Sequence, residues 1–83
     1  SAYQMGGILA KNKNFQEVSP NSVNLKDLPA GCILVYDKNT KKYSNKHGHI
    51  EVTLGDGTAC SDGRTRNIYS TNNMRIFVPT ENV

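Results

Sequence analysis

Apolar and polar residues alternate with a period of two over 49–54: Ile50, Val52 and Leu54 share one side, and His49, Glu51 and Thr53 the other. This predicts a strand whose His49 side is the polar one. Gly55-Asp56-Gly57 follows and supplies the positive-φ residues of a tight hairpin, leading into a second strand over 58–62. Upstream, the β-branched and apolar run over 32–37 predicts another strand, and 74–79 one more that stops at Pro79. Near the start, Ala2, Met5, Ile8 and Leu9 fall at helical spacing and predict a short helix over 2–11, weakened by Gly6-Gly7. Between helix and strands, turn residues alternate with single apolar anchors at Phe15, Val18, Val23, Leu25 and Leu28, which predicts a loop-rich connection with one short strand over 15–18. The expected fold class is α+β. A short N-terminal helix is followed by an antiparallel β-meander with 49–54 in the middle, all within one domain over 1–83.

Composition narrows the picture. A chain of 83 residues buries only about 60 to 65% of its unfolded surface, so its stability is expected to be marginal and a partner to matter. The net charge of +3 is scattered except over 38–46, where four lysines stand without an acid. That run reads as a solvated loop. With no Trp and no basic-aromatic alternation, a dedicated nucleic-acid reader is not expected. No apolar stretch approaches the roughly 18 residues of a membrane span, and no signal-peptide pattern opens the chain. If 49–54 is central, Cys32 and Cys60 lie on strands either side of it, about 9.5 Å apart and beyond the reach of a disulfide. Two free thiols follow.

His49 starts the central strand on its polar side. A hairpin through 55–57 sets Asp62 opposite His49 or one step away, where a carboxylate can hold one imidazole nitrogen and leave the other free as a base. A plainer reading stands beside this one, in which His49 is a surface histidine and Asp62 forms a turn before Gly63. A base and its orienter still lack the nucleophile they would activate.

Two segments carry a resemblance. Leu28-Pro29-Ala30-Gly31-Cys32-Ile33-Leu34-Val35-Tyr36 resembles the strand that precedes the catalytic histidine in NlpC-type and CHAP-type papain-like cysteine peptidases and amidases, which cut peptidoglycan stem peptides. His49, followed by Leu54-Gly55-Asp56-Gly57, resembles the histidine strand and hairpin of that family at the same spacing. The resemblance covers roughly 25–63. It implies that the chain is the sheet half of such a fold, with His49 as general base and Asp62, or Ser61 one place earlier, as the residue that orients it; Asp62 is preferred because its carboxylate also stabilises imidazolium, Glu51 on the His49 side is the reserve, and His47 lies at the cleft mouth. It further implies no cofactor and no metal, a stem-peptide substrate, and a cell-wall site of action for a secreted or periplasmic protein of bacterial or phage origin. An inhibitor or immunity protein is an implied partner.

The chain departs from the family in one respect. The family's nucleophilic Cys sits at a helix N-terminus upstream of everything matched here, and Cys32 stands where the family has a strand Asp. Cys32 and Cys60 read as packed small residues. The expectation is therefore a C-terminal part of a larger domain, completed by an N-terminal chain or segment bearing the Cys. The alternatives are a non-catalytic binding module of the same fold and, behind it, a small zinc site built from His47, His49 and Glu51 or Asp62.

Overall fold

The computed structural model describes residues 4–37, 48–69 and 73–82. One helix, α1 (Met5–Ala10), precedes six strands: β1 (Phe15–Val18), β2 (Ile33–Tyr36), β3 (His49–Thr53), β4 (Thr58–Ser61), β5 (Arg64–Asn67) and β6 (Met74–Pro79). All pair antiparallel in one sheet of order β1-β6-β2-β3-β4-β5. The meander from β2 to β4 forms as the hydrophobic pattern predicts, with β3 at its centre. The lysine-rich 38–46 and His47 lie outside the described residues.

Two features depart from the pattern. β5, Arg-Thr-Arg-Asn, has no apolar alternation and was not foreseen as a strand. It forms because Asp62 (φ 52) and Gly63 (φ 74) supply the two positive φ angles of a two-residue hairpin between Ser61 and Arg64. β6 does not extend the meander but inserts between β1 and β2, which gives its Ile76 and Phe77 a strand on either side, both 0% exposed.

The larger correction concerns which side of β3 is inside. Glu51 and Thr53 are buried, at 2% and 1% exposure, whereas Val52 and Leu54 are 41% and 45% exposed. Register explains the inversion: Leu34 lies opposite Glu51 and Tyr36 opposite His49, so the polar side of β3 joins the face carrying Cys32, Leu34, Tyr36, Met74, Ile76 and Val78. The opposite face holds a smaller cluster of Leu9, Val35 and Phe77, with Ile50 packed at its margin. At the outer edge of the sheet, Arg75 of β6 grips Glu17 of β1 through two 2.7 Å hydrogen bonds, and the guanidinium holds the Glu17 carboxyl below its usual range.

Thr53 shows why a polar residue belongs inside. Its hydroxyl accepts from the buried Cys32 amide at 2.9 Å and donates to the Pro29 carbonyl at 2.6 Å, satisfying two backbone groups that no ladder partner reaches from the side chain's position. Thr53→Val is expected to cost about 1–3 kcal/mol by leaving these groups unsatisfied. Val52→Thr, one residue earlier and on the open side, should stay within about 0.5 kcal/mol. Denaturant unfolding of the two variants checks the inversion directly.

Candidate functional site

His49 opens β3 just after Gly48, whose positive φ of 72 turns the chain into the strand. Its imidazole Nε2 lies 3.3 Å from the Glu51 Oε2, within ion-pair range when the ring is protonated. The two residues are separated by one position, so the pleat puts both side chains on the same face. Glu51 is nearly sealed from solvent and His49 is partly open, with 19% of its side chain exposed. A buried carboxylate is costly unless partners face it, and the imidazole is one such partner here.

Aromatic rings wall the pair on one side. Tyr36, directly opposite His49 on β2, places its ring centroid 5.9 Å from the imidazole, and Tyr69 stacks on Tyr36 at 5.3 Å with a 15° tilt. On the other side a cleft of about 320 Å³ opens, lined by His49, Ser61, Asp62, Arg64 and Arg66. Continuing the β3–β4 register past Val52–Cys60 sets Ser61 opposite Glu51 and Asp62 opposite Ile50. Asp62 is thus one step from His49, as the hairpin geometry predicts, but it occupies the exposed β4–β5 turn.

No family model, no curated protein and no solved structure shows a significant match to the chain.

Of the four sequence candidates, the structure brings His49 and Glu51 into contact and sets Ser61 and Asp62 along the same cleft. Among the described residues no three metal-ligating side chains gather, and His47 lies outside them. No helix among the described residues is long and apolar enough to cross a membrane. Arg64, Arg66, Tyr36 and Tyr69 were missed. The signal for the arginines was present: Ser61-Asp62-Gly63-Arg64 is a two-residue hairpin sequence, and Arg64 and Arg66 alternate after it.

Neither cysteine is placed to act with His49. Cys60 pairs with Val52 and so points to the opposite face. Cys32 is on the His49 face but four residues along β2 from Tyr36, roughly 13 Å away. Both thiols are free, and their opposed faces on strands flanking β3 rule out a bridge between them. Burial pushes the Cys32 thiol up, against a smaller opposing hydrogen bond from Thr53. Alkylation of the native protein at neutral pH should therefore label Cys60 first and leave Cys32 protected. Denaturant without reductant should release both, and mass spectrometry counts the labels.

Proposed function

We propose that this chain is the sheet portion of a papain-like cysteine amidase or endopeptidase acting on peptidoglycan stem peptides, with His49 as general base. The observation that carries the reading is the 3.3 Å contact between a partly exposed imidazole and a sealed carboxylate at the wall of a cleft. Glu51 lies against the ring and compensates the imidazolium that forms as His49 takes a proton from a nucleophile. Ser61 and Asp62 line the cleft beside that ring and contact what enters. Because neither cysteine of the chain reaches His49, the thiol comes from a segment outside it, presented at a helix N-terminus as in the family the sequence resembles. The site of action is the bacterial cell wall.

The same distance between the cysteines and His49 favours a second reading, a module of this fold that binds peptide without cutting it. One experiment separates the two. The isolated chain should not cleave stem peptides. A longer parent carrying the upstream cysteine, or co-expression with that segment, should produce cleavage. A folded, completed parent that binds stem peptide and leaves it intact selects the binding module.

A further inference from the structure

We propose that Arg64 and Arg66 form a carboxylate-binding subsite that holds an acidic peptide across the His49 cleft. The inference takes its occupant, a peptide, from the reading above and adds the chemistry by which that peptide is held. Arg64 and Arg66 alternate along β5 and so rise from one face of the strand. Register fixes which face: Arg64 lies opposite Ser61 and Arg66 opposite Ala59, and Thr53 lies opposite Ala59 in turn. Both arginines therefore share the face of His49, Glu51 and Thr53, and both line the cleft with His49.

The residue type matters as much as the position. Edge strands often carry charge simply to discourage pairing with other chains, and lysine serves that purpose best. β5 instead carries two guanidiniums, both on the cleft face, while Thr65 and Asn67 take the outer one. A guanidinium presents a planar fork of donors that matches a carboxylate bidentately. The two guanidiniums share the cleft wall with the Asp62 carboxylate, while the Glu51 carboxyl lies against the imidazole. The Ser61 hydroxyl between the arginines and His49 adds a polar contact.

Geometry also sets the ligand's length. β5 and β3 are separated by two strand spacings, about 10 Å, and the register sets Arg64 level with Glu51, two positions along β3 from His49. The combined offset, about 12 Å, corresponds to roughly three or four residues of extended peptide. A substrate anchored at Arg64 by a carboxylate would thus present to His49 an amide three or four residues away. The subsite selects peptides with a free carboxylate at that separation.

Calorimetric titration of the full chain tests this with a synthetic stem tetrapeptide bearing free carboxylates, set against the same peptide with every carboxylate converted to a carboxamide. The free acid should bind at least about tenfold more tightly, and its affinity should fall as salt is raised. Arg64→Gln and Arg66→Gln should each remove most of that advantage, with circular dichroism confirming the sheet, and Arg66→Lys should restore only part. Equal binding of the two peptides, or no measurable binding of the free acid, overturns the subsite. So does a single-stranded oligonucleotide that displaces the peptide and binds more tightly through the same arginines. If the completed parent proves inert while the free-acid peptide still binds through both arginines, the catalytic reading fails and the subsite stands.

Discussion

His49→Ala in a parent that carries the nucleophile should reduce stem-peptide cleavage by a factor of about 10² to 10⁴ or more, the range a positioned general base supplies. On the proposed role the loss should appear in kcat, because a general base acts on the proton in flight rather than on the bound peptide. Two conservative variants then assign the orienting carboxylate. Glu51→Gln keeps the shape of the buried side chain but removes its charge, so imidazolium loses its nearest compensation and activity should fall to a level between wild type and His49→Ala. Asp62→Asn keeps a residue that tolerates the positive φ of the turn, and it should cost much less. A larger loss for Asp62→Asn than for Glu51→Gln would hand the orienting role to Asp62. Initial-rate kinetics on a fluorogenic stem-peptide substrate, with thermal unfolding of each variant in parallel, distinguishes these outcomes from misfolding.

Phe77→Ala should be the most damaging change to the fold. Phe77 is fully buried in β6, clustered with Leu9 and Val35, and the Arg75 guanidinium lies 5.2 Å from its ring centre. Truncating a buried Phe costs about 3–5 kcal/mol through lost burial and the cavity left behind. A small domain holds about 5–15 kcal/mol in total, and one of this size sits toward the lower end. Each kcal/mol shifts Tm by roughly 4–8 °C in a domain of 60–100 residues, so a fall of more than about 12 °C is expected. Calorimetric unfolding measures it, and the change should also loosen α1, whose Leu9 packs in the same cluster.

The strands legible in the sequence were β1, β2, β3, β4 and β6, each marked by an apolar or β-branched run, a period-two alternation, or apolar anchors bounded by turn residues. The helix over 5–10 falls inside the predicted 2–11, and Gly6, which weakens the pattern, has a packing reason: a Cβ there would meet the Arg75 guanidinium at 2.6 Å. β5 was not legible because an edge strand can be held by its ladder alone and need not display an apolar side. The inversion of β3 was not legible either, since alternation says which residues share a side but not which side is covered. That choice is made by β2, whose Leu34 and Tyr36 lie opposite Glu51 and His49, and by β6, whose Ile76 and Met74 lie opposite those same β2 residues. The same limit governed the site. His49 and its two possible carboxylates could be named from spacing, but which one is sealed against the ring depends on long-range pairing.

The position of β6 has a consequence for how the protein comes to fold. Of the described strands, the last in chain order is the one that joins β1 to β2, through pairings such as Phe15 with Pro79 and Ile33 with Phe77 that span more than half of the 83 residues. A ribosome that has not yet released this segment can assemble the β2–β5 meander, whose contacts are between neighbours, but it leaves β1 and α1 without a sheet to rest on. Closing such distant pairs is slow because their loop entropy is lost before the contacts form. Folding should therefore proceed in two stages, with the His49 hairpin ordered early and the N-terminal segment captured only when β6 slots in beside it.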